Sequence, residues 1–340
     1  MSKGCRFVKA MVTTQCGPPD VLQLREIATP VPAENEVLIK LYASSVNPLD
    51  SFVIRGPLFF LPMIGRRLKP KHKIAGADIA GRVESVGRDV KQFRPGDEVF
   101  GASFGEKGLG GFAEYACALE DSLARKPVNL SFEDAASVPV AAITALQGLR
   151  DKGRIQRGQK VLVDGASGGV GTFAIQIAKS FGADVTAVCS PRNLHRALSI
   201  GADHVIDYTQ EDFTQSGLRY DLILGANAHH SIFDYRRALS RGGIFVMVGG
   251  ALVRILQAVL LAPFLSRISN KKIRFFIAKT NAEDLVVLKD LIEAGKIVPV
   301  IDRRYPLGEV AEALRYREQG HAQGKIVITV DHSDEVRGSL

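Results

Sequence analysis

Gly168 and Gly171 lie within residues 160–189, KVLVDGASGGVGTFAIQIAKSFGADVTAVC, where a β-rich run turns into an amphipathic, helix-like run. A glycine at position 168 relieves crowding in that turn and lets the backbone approach a diphosphate, while Gly171 lets the helix lie close on the strand. A helix N-terminus also presents unpaired N–H groups, which attract anions. The pattern predicts the first half of a dinucleotide-binding βαβ unit, although Ala166 stands where the first glycine is usual. The alternative is a tight strand-to-helix connection without a ligand.

The end of the second strand predicts which dinucleotide binds. Sites that prefer NAD place an acidic side chain about 20 residues after the glycines, where it accepts hydrogen bonds from the ribose. This chain instead has Cys189-Ser190-Pro191-Arg192-Asn193. Ser190, Arg192 and Asn193 can all donate hydrogen bonds to a 2′-phosphate, so NADPH is the predicted cofactor. Alternatively, Arg192 is a solvated residue in the first turn of the next helix.

The elements that must position these residues follow two patterns. From Arg6 to Tyr115, short β-type runs separated by Pro and Gly predict an antiparallel, barrel-like domain. Residues 131–150 predict a helix with Ser131 as its N-cap. From Lys160 onward, apolar strands alternate with helical segments, which predicts a parallel sheet. The predicted strands of this sheet are 160–165, 184–189, 204–208, 220–225 and 243–249.

Residues 251–265 form an apolar run that is too short to span a bilayer and is interrupted by Arg254 and Pro263. The favoured interpretation is a buried or interface helix that covers the site. The alternative is attachment to a membrane surface. A sheet strand is predicted next, at 273–278. A further helix is predicted to begin at Asn281, and the chain closes on the strand KIVITV.

The composition limits the class of protein. At 340 residues the chain is long for one core and suits two domains. Its 44 basic and 36 acidic residues give a net charge of +8, which favours anionic partners. The basic residues are scattered apart from clusters at 66–73 and 271–274, and no aromatic interleaving accompanies them. The first cluster is therefore interpreted as a solvated loop, and no nucleic-acid partner is expected.

The cysteines and the N-terminus predict a cellular compartment. Cys5, Cys16, Cys117 and Cys189 are too scattered for a disulfide framework, and no two of them have metal-ligand spacing. The first residues, MSKGCRFVKAMVTT, lack the apolar core of a secretory signal. A reducing, cytoplasmic location is the resulting prediction.

Four more motifs carry a resemblance to a known family: SVNPLD at 45–50, AGADIAG at 75–81, RPGDEV at 94–99 and GFAEY at 111–115. With GASGGVG and the domain order, they resemble the quinone oxidoreductase branch of the medium-chain dehydrogenase/reductase superfamily over nearly the whole chain. Within it they resemble the subgroup of chloroplast-envelope quinone oxidoreductase homologues and mitochondrial reticulon-interacting oxidoreductases. The resemblance implies an α/β fold of two domains. These are a GroES-like β-barrel-type substrate domain, residues 1–125 completed by 280–340, and a Rossmann doubly wound parallel-sheet domain that binds NADPH, residues 126–279.

The resemblance also implies roles for individual residues. Asn47 would lie near the nicotinamide and position the cofactor or the acceptor oxygen, with loop capping before a proline as the alternative. Tyr208 would border the ribose phosphate, or it simply ends a strand. Lys325 would close an HxxGK pattern at the cofactor, with a solvated lysine after a turn-forming glycine as the alternative. The other residues implied to line the cofactor are Thr144, Ser167, Gly168, Gly169, Val170, Gly249, Gly250, His321 and Gly324.

The resemblance departs from zinc alcohol dehydrogenases at the metal ligands. Those enzymes carry Gly-His-Glu where this chain has Gly76-Ala77-Asp78, and a cysteine ligand near Ser45. A catalytic zinc needs about three protein ligands, and thiolate or imidazole groups supply most of them. No metal is therefore predicted. Asp50 and Asp78 are interpreted as organisers of their loops.

These features predict NADPH-dependent hydride transfer to a quinone or an α,β-unsaturated carbonyl compound. Without a metal, nothing polarises the oxygen of an unactivated alcohol, whereas a conjugated acceptor delocalises the incoming charge. The alternatives are an NADPH-liganded scaffold or membrane-associated regulator, and an alcohol dehydrogenase. Because superfamily members commonly pair through the edge strand of the nucleotide-binding sheet, the β-rich segment at 273–277 predicts a homodimer.

Overall fold

The structure, a computed structural model, describes residues 7–56, 74–103, 109–267 and 270–332. The basic cluster at 66–73 and Cys5 lie outside the described residues. The chain divides into two compact units. The first unit comprises Met1–Val140, Thr280–Glu293 and Ile301–Leu340, and the second comprises Ala141–Lys279 and Ala294–Val300.

The chain begins with the strands of an antiparallel sheet, which confirms the predicted β-rich domain. The first elements are β1 (Phe7–Val12), β2 (Gln23–Ala28), β3 (Glu36–Val46), α1 (Pro48–Arg55), β4 (Asp78–Val86), β5 (Glu98–Ala102), β6 (Tyr115–Leu119), β7 (Leu123–Arg125), α2 (Phe132–Ala136) and α3 (Pro139–Gln147). β1 and β2 form a two-stranded sheet, and β3 pairs with both β4 and β6.

β3 is the central strand of the first unit. Val37, Ile39 and Leu41 on this strand are buried against Ile79 of β4 and other apolar side chains. Long β-branched and leucine side chains suit such a position, because they pack against neighbours on both sides of a pleated strand. The end of β3 at Val46 is held in a second apolar cluster with Ile54 and Ile326, and it carries the first residues of the candidate site.

The predicted single helix at 131–150 is wrong, because α2 and α3 are separate helices. The N-cap is confirmed, since the Ser131 hydroxyl oxygen accepts a hydrogen bond of 3.1 Å from the N–H of Asp134. The break comes at Pro139, which has no N–H to donate and which disfavours the helical conformation for Val138 before it. Pro139 then begins α3, a position where its missing N–H costs nothing.

The second unit is a parallel sheet flanked by helices. Its elements are β8 (Lys160–Asp164), α4 (Gly169–Ser180), β9 (Asp184–Cys189), α5 (Leu194–Ser199), β10 (His204–Asp207), β11 (Tyr220–Gly225), α6 (Ile232–Ala238), β12 (Leu239–Met247), α7 (Leu252–Arg267) and β13 (Lys272–Phe275). The strand order is β10-β9-β8-β11-β12-β13, and all neighbours are parallel. The five predicted strands of a Rossmann sheet are confirmed. The order reverses between β8 and β11, so the crevice for a ligand lies at the carboxyl ends of these strands.

The sheet of the second unit is covered by apolar side chains. Leu162, Ile223 and Phe245 on three neighbouring strands are fully buried. The helix α4 contributes Phe173 and Ile177, which are also fully buried. Strands covered on both faces read as continuous apolar runs, and this is the pattern that the sequence shows.

The predicted helix at 251–265 is confirmed as α7, but it is buried on one face only, and its role at an interface stays a prediction. Ala258 and Leu265 are buried, but Val253, Leu256 and Leu260 share an exposed face. The strand after it is also shorter than predicted, since β13 ends at Phe275. Among the described residues, no helix combines the length and the apolar character needed to cross a bilayer.

The last segment returns to the first unit. It contains α8 (Ala282–Glu293), β14 (Ile301–Pro306), α9 (Val310–Glu318) and β15 (Lys325–Thr329). The predicted start of α8 at Asn281 is confirmed, and Asn281 caps the helix, because its Oδ1 accepts a hydrogen bond of 2.8 Å from the N–H of Asp284. β15 pairs with β14 on one side and antiparallel with β3 on the other, with Ile326 opposite Val46. This register brings Lys325 beside the end of β3.

Candidate functional site

The glycine turn after β8 includes Gly168 and Gly171, whose surroundings differ. A Cβ on Gly171 would lie 2.2 Å from the carbonyl oxygen of Gly165, so the helix could not keep its distance from the strand. A Cβ on Gly168 would meet nothing nearer than that oxygen at 3.7 Å. Gly168 also has φ −78° and ψ 173°, which any residue adopts. Gly171 is therefore needed for packing, and the room at Gly168 is open to a ligand.

The start of α4 can hold an anion. Thr172 makes the first bond of the helix, since its N–H donates to the carbonyl oxygen of Gly168 at 2.9 Å. The N–H groups of the preceding turn have no partner within a helix of this kind. Ser167, Gly168, Gly169 and Val170 are all partly exposed here. The turn and the 12-residue helix behind it therefore fit the diphosphate of a dinucleotide.

Ser190, Arg192 and Asn193 come together after β9, but they have different surroundings. The Asn193 side chain is buried, and its Nδ2 donates a hydrogen bond of 2.9 Å to Ser190 Oγ. Because that oxygen accepts from Asn193, the hydroxyl proton of Ser190 can be donated outward. Arg192 is exposed. Ser190 and Arg192 can thus reach a phosphate, while Asn193 orients Ser190 from below.

Asp207 ends the neighbouring strand β10, and Tyr208 follows it. Asp207 lies opposite Cys189 in the parallel register, and the Tyr208 side chain is 61% exposed. Sequence reasoning missed Asp207, an acidic residue at the same edge, although HVIDY at 204–208 carries the signal. Its Oδ1 accepts hydrogen bonds from the N–H and the hydroxyl of Thr209 at 2.9 and 2.8 Å. The carboxylate is therefore engaged by its own loop.

Gly249 and Gly250 follow the carboxyl end of β12, where two loops touch. A Cβ on Gly249 would lie 2.4 Å from the carbonyl oxygen of Ala226. Gly250 has φ +143°, and a Cβ there would lie 2.5 Å from the carbonyl oxygen of Ala228. These glycines are required by the contact between the loops after β11 and β12. Thr144 is half-buried on α3.

A buried acid lies directly beneath the glycine turn, and sequence reasoning missed it. Asp164 is the last residue of β8, and its carboxylate accepts a hydrogen bond from the Tyr235 hydroxyl of α6. Burial raises the pKa of Asp164, although the Tyr235 hydrogen bond lowers it. Tyr235 is itself stacked on Phe245, with ring centroids 4.1 Å apart. The pair fixes the end of β8 against α6, so the glycine turn has a rigid base.

In the first unit, Asn47 belongs to a buried network of polar groups. Lys325 Nζ donates to Asn47 Oδ1 at 2.7 Å and to Asp78 Oδ2 at 3.0 Å. Asn47 Nδ2 donates to the same Asp78 oxygen at 2.8 Å, and the Ser45 hydroxyl donates to it at 2.6 Å. Lys325 is 3% exposed and Asp78 is fully buried. The network fixes the orientation of the Asn47 amide.

Asp50 organises two loops at once. Its Oδ2 accepts the N–H of Asn47 at 2.7 Å, and its Oδ1 accepts the N–H groups of Gly76 and Ala77 at 3.1 Å each. The pKa of Asp50 is raised to about 7, chiefly by complete burial. The N–H donors of Asn47 and Gly76 and the charge of Lys325 oppose this rise, and the nearby carboxylate of Asp78 adds to it. The interpretation of Asp50 and Asp78 as organisers of their loops agrees with these contacts.

The three C-terminal residues implied to line the cofactor lie in different environments. His321 is exposed, whereas Gly324 and Lys325 are buried. Gly324 has φ +126°, which favours glycine, so it makes the turn into β15. The alternative of a solvated Lys325 is wrong, because β15 carries its ammonium group into the network with Asn47 and Asp78.

The residues at the metal-ligand positions of zinc alcohol dehydrogenases do not fit a catalytic zinc. Ala77 has no donor atom, and the Asp78 carboxylate is taken by Lys325, Ser45 and Asn47. A zinc ion would have to displace an ammonium group from the same oxygen. Within the described part of the chain, no three His, Cys, Asp or Glu side chains are grouped as a metal site.

Two family profiles match the chain. The profile described as "Alcohol dehydrogenase GroES-like domain" matches residues 33–128, and that described as "Zinc-binding dehydrogenase" matches residues 200–328.

Relatives are similar to the chain over most of its length. The "Chloroplast envelope quinone oxidoreductase homolog" of Arabidopsis thaliana is 34% identical over 89% of this chain and 92% of its own length. The "NADPH-dependent alkenal/one oxidoreductase, chloroplastic" of the same plant is 34% identical over 94% of this chain and 79% of its own. The solved structure of the quinone oxidoreductase from Coxiella burnetii has a TM-score of 0.84 and 31% identity, and the match covers 96% of this chain and 100% of that chain.

Proposed function

The chain belongs to the quinone oxidoreductase branch of the medium-chain dehydrogenase/reductase superfamily, and we propose that it reduces quinones or α,β-unsaturated carbonyl compounds with NADPH and without zinc. The names of its relatives support both acceptor classes, since one is an alkenal/one oxidoreductase and others are quinone oxidoreductases. NADPH is named for one of these relatives.

The observation that carries the proposal is the buried network of Asn47, Asp78 and Lys325. Asp78 and its partner Ser45 stand at or near the sequence positions that carry metal ligands in zinc alcohol dehydrogenases, and the Asp78 carboxylate is already satisfied by an ammonium group 3.0 Å away. Without a Lewis acid at this place, the metal-assisted route to acidifying a simple alcohol is missing. A conjugated acceptor needs less activation, because the negative charge that it receives with the hydride is delocalised onto its oxygen.

The chain's own residues support NADPH as the cofactor. When bound, NADPH would supply the two electrons and the hydride for the reduction. The glycine turn and the start of α4 would hold its diphosphate. Ser190 and Arg192 would hold the 2′-phosphate, with Tyr208 beside the ribose. Thr144, Gly249, Gly250, His321 and Gly324 are further proposed contacts from the family resemblance.

Asn47 is proposed to position the acceptor or the nicotinamide. Its Oδ1 accepts from Lys325, and its Nδ2 donates to Asp78 at 2.8 Å and, over a longer 3.4 Å, to the carbonyl oxygen of Ser45. A ligand would therefore compete only with the longer of the two Nδ2 hydrogen bonds. A donor held this rigidly is oriented before the substrate binds, which is how an amide stabilises developing charge on an oxygen. Lys325 therefore acts on the substrate through Asn47.

The finer assignments remain proposals. We assign the substrate role to residues 1–125 with 280–340 and the NADPH role to residues 126–279. We also propose a homodimer, which the exposed apolar face of α7 supports. A cytoplasmic location stays a prediction, because the two plant relatives are chloroplast proteins by name.

The test is the rate of NADPH oxidation with a panel of quinones, 2-alkenals and saturated aldehydes, before and after prolonged chelation. We expect turnover with the conjugated acceptors alone and no loss of rate on chelation. NADPH deuterated at one C4 face should pass its label to the β-carbon of an enone. Robust oxidation of simple alcohols, or zinc bound in stoichiometric amount with activity lost on its removal, would contradict the proposal.

The choice of cofactor has its own test. Arg192→Ala should weaken NADPH binding by about ten- to a hundredfold, because a charge-assisted hydrogen bond contributes about 1.5–3 kcal/mol. NADH has no 2′-phosphate, so its affinity serves as the internal control and should stay unchanged. Equal losses for both cofactors would refute the role of Arg192.

A further inference from the structure

A second group of basic residues lies at the edge of the parallel sheet opposite the glycine turn. Arg219 immediately precedes β11, Arg241 lies near the start of β12, and Lys271 immediately precedes β13. Arg236 lies near the carboxyl end of α6, which leads into β12. Because these strands are parallel, their amino ends meet at one edge, whereas the glycine turn follows the carboxyl end of β8.

These residues line a pocket of about 590 Å³. The size is within the range of about 300–1,000 Å³ that small-molecule sites occupy. Five cationic side chains and one aromatic ring face it: Arg219, Arg236, Arg237, Arg241, Lys271 and Phe233. None of the described lining residues is acidic.

One guanidinium group in the pocket is incompletely hydrogen-bonded. Arg237 is paired with Asp234 of its own helix. The Nε of Arg236, by contrast, is buried and has no hydrogen-bond partner in the structure. A buried guanidinium N–H without an acceptor costs free energy, and an anion in the pocket would supply that acceptor.

The electrostatics of Lys271 indicate how crowded the cations are. Its Nζ donates a hydrogen bond of 2.9 Å to the carbonyl oxygen of Arg236. Burial lowers the pKa of Lys271, and the charges of Arg219 and Arg236 lower it further. Like charges held this close repel one another, and a multiply charged anion would relieve that repulsion.

We propose that this pocket binds a phosphoanion that carries two or more negative charges, at a site separate from the cofactor turn. Arginine guanidinium groups match phosphate oxygens with paired N–H donors, and lysine adds a point charge. Phe233 is half-exposed beside them, so its ring offers a surface for an organic group attached to the phosphate. The phosphate could belong to a free small molecule or to a lipid headgroup, and the two sources are separated by experiment.

The first arm of the experiment is calorimetric titration of the full chain with inorganic pyrophosphate at low ionic strength. NADP⁺ is kept saturating, so that pyrophosphate does not compete at the glycine turn. We expect one equivalent to bind, and Arg236→Gln and Arg241→Gln each to weaken binding by about tenfold or more. Arg241 is exposed, so its variant should fold even if the Arg236 variant does not. Arg88→Gln is the matched control, because that side chain is 73% exposed in the other unit.

The second arm is flotation with phosphatidylcholine vesicles, with and without phosphatidic acid. Binding to the phosphatidic acid vesicles that depends on Arg236 and Arg241, with little affinity for pyrophosphate, would identify a lipid headgroup as the source. Tight binding of pyrophosphate that depends on these two arginines, with little binding to the phosphatidic acid vesicles, would identify a soluble phosphate. The proposal is overturned if neither probe shows saturable binding that depends on these arginines, or if Arg88→Gln weakens binding equally. A failure of NADP⁺ to bind would instead count against the proposed function, since the pocket variants report on the pocket alone.

Discussion

Lys325 is the residue on which the buried network of the first unit depends. Its side chain is 3% exposed, and its ammonium group reaches both Asp78 and Asn47. A carboxylate as deeply buried as that of Asp78 tolerates the loss of its cation poorly, because nothing replaces the lost charge. The same bond holds the Asn47 amide, so stability and positioning are coupled at this residue.

Lys325→Met should lower the free energy of unfolding by about 3–5 kcal/mol, since it leaves the Asp78 charge buried and unpaired. The double variant Asp78→Asn/Lys325→Met should lose less than the sum of the two single changes, because it removes both charges. Urea unfolding of the four proteins measures this coupling. Strictly additive losses would contradict the pairing.

Gly168 and Gly171 have different roles, and substitution of each by alanine should have a different effect. Gly171→Ala places a Cβ 2.2 Å from the carbonyl oxygen of Gly165, so it should cost about 1–3 kcal/mol of stability. Gly168→Ala should leave the midpoint of thermal unfolding nearly unchanged and weaken NADPH binding. Parallel unfolding scans and fluorescence titrations measure both effects. A Gly168→Ala protein that binds NADPH as well as the original would remove this glycine from the proposed cofactor site.

At the scale of elements, α1 is tied to the loop at Gly76 and Ala77 by the single carboxyl of Asp50. Burial raises the pKa of this carboxyl to about 7. A carboxyl that binds its proton more tightly in the folded protein stabilises that state below its unfolded pKa of about 3.9. The contribution is lost as the pH rises from there to about 7.

Asp50→Asn should remove this pH dependence. Between pH 4 and pH 7, the free energy of unfolding of the original protein should fall relative to that of the variant, by up to about 1.4 kcal/mol per pH unit. Urea unfolding at a series of pH values measures the difference. Parallel profiles of the two proteins would show that Asp50 does not titrate in this range.

Local pattern predicted the elements whose burial is uniform. The strands β8, β9 and β11 are buried along nearly their whole length, and the Rossmann sheet is predicted from their apolar runs. The predictions that were wrong concern elements whose ends or burial depend on tertiary contacts. Periodicity does not reveal that Pro139 divides a helix, nor that one apolar face of α7 stays exposed.

In the candidate site, the type of a residue was a poor guide to its contacts, because those contacts depend on where the fold places the residue. The resemblance brought Asn47 and Lys325 to the same part of the molecule, but their mutual hydrogen bond arises from the pairing of β15 with β3. Asn193 has the right type for a phosphate contact, yet it is buried beneath Ser190. Asp164 was missed because its partner, Tyr235, lies 71 residues away in sequence.

At the scale of the whole molecule, the net charge is +8, and its basic residues are unevenly distributed. Four arginines and a lysine gather in one pocket of the second unit, without an acidic side chain among its described lining residues. The exposed apolar face of α7 belongs to the same unit. A monomer rarely exposes such a face without a partner, which is why self-association is the favoured role for it.

Self-association should take the form of a two-fold homodimer that covers α7 and the segment after β13, the outermost strand of its sheet. Leu260 is 73% exposed and Ile277 is 82% exposed, and burial of one such side chain contributes about 1.5–3 kcal/mol. Leu260→Lys and Ile277→Lys should therefore each weaken the dimer at least about tenfold. Val128→Lys is the control, since this residue is 86% exposed in the first unit. Light scattering at micromolar concentration should show a dimer for the original protein and the control, and monomers for the two variants. A monomeric original protein would exclude the homodimer, and a dimer that survives both changes would place its interface elsewhere.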